Sequence, residues 1–453
     1  ATLNSNWVFI RGGEIVSGSP ERPIPPEITH TIQLHGDRNF PSFAFDGSIE
    51  AGNKVLAIAG KLQMHGYPKK SWTALEQDAH PGDSFIFVKA VDWKVGDEIV
   101  IAPSGFDASE HETFTITGIS GNLPYYEIPP PEETNSTRRL QAVDFSSDSD
   151  WTAKQSKRNL GKNPSEDSTI THQTQPTSAS SVSKVWLNKQ IQFYHSGTIL
   201  NFEDKLVDMR TEVGVTSRNV KIQGSDNGWA CNVVVSDFLD VNTASGIPVE
   251  RSGYTEISNV EINRCGQKDL QRAALRFENS NTKTSNVSNI VIKNTETWGV
   301  YIKNSANIQF TENVLYNIRW KGIVGENIKD SVFESNLVVN VFDRGLAGLN
   351  HDTPSAYFLC FKDDCSEVQI KNNAAAGYGF AGFVTGSSSC GSWSSYFSNN
   401  KAHSGMHGWI ISSKQKCVRG SHLTAYFNDL GVGAFSGVSD YELSSLALVE
   451  NLV

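Results

Sequence analysis

Seven short stretches in the second half of the chain decide the fold. They are Asn259-Val-Glu-Ile-Asn263, Asn289-Ile-Val-Ile-Lys-Asn294, Asn307-Ile-Gln-Phe-Thr-Glu-Asn313, Ser331-Val-Phe-Glu-Ser-Asn336, Glu367-Val-Gln-Ile-Lys-Asn-Asn373, Ser395-Tyr-Phe-Ser-Asn-Asn400 and Leu423-Thr-Ala-Tyr-Phe-Asn428. Each carries alternating apolar residues and closes on asparagine. The closing asparagines are 31, 19, 23, 37, 27 and 28 residues apart. Alternation gives a strand one buried face, and a short repeat that cannot bury its face alone must stack on its copies. Asparagine at a corner tolerates the left-handed conformation and can bond its neighbours in a ladder. The pattern predicts a right-handed, single-stranded parallel β-helix. A β-sandwich with Asn-rich turns is the alternative, but sandwich strands do not repeat one corner residue this often. Ala447-Leu-Val-Glu-Asn-Leu-Val453 reads as a further coil, with Asn451 lying 23 residues after Asn428. An uncapped solenoid exposes an apolar rung, so the expected partner there is the rest of a longer parent chain or another copy.

Outward from the repeat, the first 120 residues read as short strands between glycine turns: Trp7–Ile10, Thr31–Leu34, Val55–Ile58, Phe85–Val88, Glu98–Ile101 and Thr113–Thr117. No segment holds a 3.6-residue apolar period over three turns, so the whole chain is expected to be all-β. From Ser146 to Lys184 serine, threonine, lysine, asparagine, glutamine and aspartate dominate, the composition of a surface insertion or tether. The expected organisation is a β-rich domain over 1–145, a polar insertion over 146–184 and the β-helix over 185–453.

The formal charge is −10, and no Lys/Arg-rich run stands out. Nucleic acid is therefore not the expected partner. No run of about 18 apolar residues is present, so no transmembrane segment is expected. The six cysteines, Cys231, Cys265, Cys360, Cys365, Cys390 and Cys417, include no CxxC pair. An even number in that arrangement favours disulfides and an extracellular setting; Cys360–Cys365 and Cys390–Cys417 are the expected pairs. Asn135-Ser-Thr137 and Asn286-Val-Ser288 are acceptors for N-glycosylation.

A resemblance lies in longer matches: His35-Gly-Asp-Arg, Ala51-Gly-Asn-Lys, Gly60-Lys-Leu-Gln-Met-His-Gly66, Ser71-Trp-Thr, His80-Pro-Gly-Asp and Val91-Asp-Trp-Lys-Val-Gly-Asp-Glu-Ile-Val-Ile-Ala102, followed by the run from Val207 to Gly224 and by Asn373-Ala-Ala-Ala-Gly-Tyr-Gly. Together these resemble the fibrocystin-like (polyductin-like) cell-surface proteins. The resemblance implies an eight-glycine-type domain, here without its first strands, leading into parallel β-helix repeats. The same pair of domains occurs in hyaluronan-cleaving cell-surface proteins, which supplies an enzyme alternative. Where that branch carries a His-x-His-type motif, this chain reads Arg272-Ala-Ala-Leu-Arg-Phe-Glu278 and has no histidine.

Three side chains form the candidate catalytic group. Asp208, Arg210 and Glu212 alternate, so in one strand they would share a face. Paired carboxylates beside an arginine could work on a glycosidic bond; the plainer reading is a salt-bridged strand at the junction of the two halves. His403 and His407 have the spacing of a zinc pair on a helix, but their surroundings read as strand and turn. Asp363-Asp364 supplies too few oxygens for calcium alone. No metal or cofactor is expected. Tyr125, Tyr126, Trp298, Tyr301, Trp320, Trp393 and Trp409 could meet an extracellular glycan if exposed. The favoured reading is a non-catalytic structural, adhesion or assembly module of a larger cell-surface or matrix glycoprotein, with a ciliary-surface or fibre component as a specific version. The alternatives are a hyaluronidase-like carbohydrate-active enzyme and a glycan- or ligand-binding receptor ectodomain.

Overall fold

The computed structural model describes residues 1–45, 49–121, 182–202, 205–268, 272–342, 353–361, 365–386, 395–411, 417–434 and 440–452. Among them there is no helix, so none is long and apolar enough to cross a membrane. Twenty-five strands join in one sheet wound into a solenoid. Successive coils pair in parallel and in register. Val260–Asn263 lies beside Val291–Lys293, which lies beside Val314–Arg319, then Leu337–Phe342 and Ala374–Thr385. The parallel stack also takes in Trp7–Ser17, His30–Leu34 and Val55–His65. Coils therefore run on both sides of residue 185.

Alternation explains what fills the solenoid. Val287, Phe310 and Phe333 point inward from three consecutive coils and are fully buried. Further along, Tyr357 stacks on Phe383 at 4.6 Å and Phe397 on Trp409 at 4.2 Å. Each coil is too thin to hide its own rings, and burial comes from the neighbours.

The asparagines sort into more than one ladder. Asn313, Asn336, Asn373 and Asn400 occupy one corner. Asn313 Nδ2 donates to Asn336 Oδ1 at 2.9 Å, Asn336 to Asn373 at 3.0 Å and Asn373 to Asn400 at 3.2 Å. Each carboxamide also donates to a strand carbonyl, as Asn336 does to Phe310 O. At the next corner Asn263, Asn294, Asn317 and Asn340 form a second ladder with a 23-residue repeat over its last two steps. Asn428 and Asn451 pair farther along, also 23 residues apart, each one place after a left-handed residue, Phe427 or Glu450. The intervals of 19 and 28 residues in the sequence therefore cross from one corner to another.

The left-handed turn also falls elsewhere than expected. Of the seven closing asparagines only Asn294 has positive φ (54°). In the buried ladder the turn belongs to the preceding residue, Glu312, Ser335, Asn372 or Asn399. There asparagine serves through its carboxamide, which satisfies backbone groups the turn leaves open.

A second unit lies on the flank. Trp72–Ala74, Glu212–Val215, Glu98–Ile101, Glu112–Ile119, Val182–Leu187 and Phe85–Lys89 pair antiparallel in that order. A bridge from Leu75 to Val88 closes the ring into a small barrel. Its core includes Ile86, Val88, Ile99, Ile101, Phe114 and Val213. Inside it His195 Nε2 meets Glu112 Oε2 at 3.1 Å, and Ala102 O lies 2.8 Å from Nδ1.

Two disulfides occur among the described residues. Cys231–Cys265 joins consecutive coils, and Cys360–Cys365 closes a short loop. Cys390 and the side chain of Cys417 lie outside the described part, as do Asn135, Tyr125, Tyr126, Asp363, Asp364, Trp393 and most of the polar insertion.

Candidate functional site

The seam between barrel and solenoid is the most elaborate polar site. Its centre is apolar. Val100 and Ala102 of the barrel pack on Val291, Val314, Leu337 and Ala374, which project outward from consecutive coils. Trp72 reaches across and donates from Nε1 to Ser335 O at 2.7 Å. Both ends of this strip are closed by buried charge.

At one end lie the sequence candidates. Asp208 ends the strand Lys205–Asp208, while Glu212 begins the next strand, Glu212–Val215. The intervening break removes the shared face expected of a single strand. Arg210 grips Asp208 through Nε at 2.9 Å and Nη2 at 2.8 Å, and reaches Glu76 Oε1 at 2.7 Å through Nη1. Glu212 turns the other way and is 0% exposed. Its Oε1 lies 2.6 Å from Lys401 Nζ and its Oε2 2.8 Å from His403 Nε2. Lys401 Nζ also donates to Arg210 O at 2.9 Å, and the His403 ring stacks flat on Tyr426 at 4.5 Å. Burial alone would raise the Glu212 pKa, but Lys401 and His403 outweigh it and hold the group well below the usual carboxylate range. Asp208 is likewise lowered: burial opposes, and Lys401 and Arg210 prevail.

At the other end Lys293 Nζ sits 2.9 Å from Glu98 Oε2 and 3.3 Å from Glu261 Oε1. Arg218 is enclosed there. Its backbone N donates to Glu261 Oε2 at 3.1 Å and its Nη2 to Ser71 Oγ at 3.0 Å. Burial brings the Arg218 pKa down to about 10.

Lys401, Lys293 and Glu98 carried no sequence signal, and His403 drew notice only for its spacing from His407. Lys401, His403 and Lys293 come from coils far away in the chain and Glu98 from a barrel strand, and nothing local marks them as partners at the seam. His403 and His407 share the strand Lys401–Ile411, with His403 engaged by Glu212 and His407 edge-on to Phe380 at 5.0 Å. Among the described residues no three metal-ligating side chains gather. Arg276, in the segment without histidine, is buried; it bonds Glu278 Oε1 at 2.8 Å and Ala51 O and Asn232 Oδ1 at 3.1 Å each. Of the tryptophans considered for a glycan, Trp298 is 6% exposed and Trp409 0%.

A third flank is open and polar. Gln63, Glu256, Asn286, Gln309, Val332 and Gln369 stand in one row across consecutive coils. Asn286, the glycosylation acceptor, lies mid-row and is exposed.

Comparison with known proteins finds a G8 domain at residues 1–76 and a right-handed β-helix region at 214–358 and 245–430. Mouse fibrocystin is 23% identical over 455 residues, spanning 100% of this chain and 9% of the relative. The chain is fibrocystin-like. It spans about a tenth of the curated relatives it matches over its whole length. A shorter likeness runs to the human cell surface hyaluronidase CEMIP2, 34% over 106 residues, covering 22% of the fibrocystin-like chain and 7% of that protein. Among solved structures, the catalytic domain of a GH87 alpha-1,3-glucanase in complex with nigerose matches at a TM-score of 0.31 and 11% identity, over 84% of this chain and 76% of that one. That likeness is too slight to carry over any residue or activity.

Proposed function

We propose that the chain is a non-catalytic extracellular module of a larger cell-surface or matrix glycoprotein, acting as a rigid spacer, adhesion surface or assembly unit. The observation that carries this reading is the seam. A glycosidic bond needs two carboxyl groups facing a gap wide enough for sugar and water. Glu212 is enclosed between barrel and solenoid with Lys401 and His403 upon it, and Asp208 is held by Arg210. The arrangement fixes one body on the other. The whole-length likeness to fibrocystin supports a cell-surface location, and the exposed Asn286 supports glycosylation on the open flank.

Incubation with hyaluronan and with pectic polymers is expected to leave polymer size unchanged. Shortening that disappears in Asp208→Asn or Glu212→Gln would instead establish the hyaluronidase-like reading. Secretory expression followed by intact mass is expected to give a glycan at Asn286 that Asn286→Gln removes. The assembly role predicts end-to-end contacts in negative-stain images, and the ciliary version predicts labelling of the ciliary surface.

A further inference from the structure

A cavity of about 350 Å³ opens at the first coils, away from the seam, in the range of small-molecule sites (about 300–1,000 Å³). Four phenylalanines, Phe9, Phe43, Phe45 and Phe238, line it. They meet at tilted or edge-on angles, with Phe9 4.7 Å from Phe43 and Phe45 5.5 Å from Phe238. Leu239 and Val241 add apolar wall and stay 50% and 56% exposed. This apolar surface sits beside a single charged cluster. Asp240, buried, accepts from Arg11 Nε at 2.7 Å and from Arg251 Nε at 3.1 Å. Two guanidiniums thus share one carboxylate, leaving one positive charge over, and the Arg11 side chain remains 40% exposed.

We propose that this cavity binds a free single-chain carboxylate, its alkyl body against the four phenylalanines and its head at Arg11. Charge complementarity selects an anion, because the Asp240 oxygens are already engaged while the guanidiniums retain donors. The side chains of the wall favour an alkyl body. Apart from Arg11, Asp240 and Asn242 they are carbon, and the polar surface of the lining is left to the head group.

The test is calorimetric titration of the full chain with decanoate, decanol, glucuronate and acetate, alongside sedimentation with phosphatidylserine vesicles. Decanoate is expected to bind one to one, with decanol weaker and acetate and glucuronate silent. Leu239→Glu, at an exposed wall position, is expected to weaken decanoate at least about tenfold, near 1.4 kcal/mol, with an unchanged melting temperature. Arg11→Met is expected to weaken decanoate and leave decanol as in the parent. The proposal is overturned by absence of decanoate binding, by binding indifferent to both variants, by glucuronate binding in place of decanoate, or by association with vesicles alone.

Discussion

The interior of the solenoid and its seam with the barrel bury polar groups in opposite ways. Inside the solenoid the ladder side chains are neutral: Asn313, Asn336, Asn373 and Asn400 each give and receive bonds along the stack. At the seam charge itself is buried, with Glu212 against Lys401 and His403, and Lys293 against Glu261 and the more exposed Glu98. A neutral amide can repeat indefinitely, because each rung satisfies the one beside it. An ion pair cannot be slid by one coil without stranding a charge, so it fixes one docking position. The coils gain length from the first device, and the barrel gains a unique address from the second.

The comparison is broken or sharpened first at Glu212. Glu212→Ala leaves the partly buried Lys401 without its counter-ion and the buried His403 Nε2 without its partner, and is expected to cost about 3 kcal/mol in urea unfolding. Adding Lys401→Met and His403→Phe should recover much of that loss, since an apolar replacement removes the stranded charge. A loss under about 1 kcal/mol for the single change would mean the seam does not depend on its ions. Next comes Asn336→Ala, which strips bonds from Asn313, Asn373 and Phe310. Leaving those groups open is expected to cost about 2–3 kcal/mol, equally at pH 7 and at pH 5.

Acid separates the two regions further. Glu212 has a lowered pKa in the folded chain, so its contribution is fully present above its unfolded value, near 4.3. That contribution is lost as pH falls toward the folded value. Thermal melts between pH 5 and pH 2 should therefore show a decline that Glu212→Gln flattens and Asn336→Ala does not. The smallest effect is expected at Asn317. This corner asparagine has φ 58°, and Asn317→Ala should cost about 1 kcal/mol, while Asn317→Gly should cost less.

The sequence makes the repeat legible because asparagine corners and alternating strands recur in one dimension. It does not tell one corner from the next, since both use the same residue and only a coil's closure shows which asparagines align. Asn313 and Asn336 are neighbours, whereas Asn294 and Asn313 are not. The turn preceding each buried asparagine was likewise hidden, because Glu312 and Ser335 are not residues that announce positive φ. Asp208, Arg210 and Glu212 drew notice through their spacing alone. Their partners could not be found that way: Glu212 and His403 are 191 residues apart. The phenylalanine-lined cavity is also assembled from distant segments, with Phe9 and Phe238 brought together by stacking rather than by any local motif.

The disulfide between Cys231 and Cys265 has a mechanical consequence. Under tension along the solenoid axis, inter-coil hydrogen bonds are loaded one after another, and coils peel off singly. A covalent link between consecutive coils takes the load out of the residues it encloses. The cysteines are 34 positions apart, so the link withholds about 110 Å of contour length at roughly 3.3 Å per residue. Reduction would release that length as one added step in a force–extension trace. The staple makes this part of the solenoid a stop against unravelling.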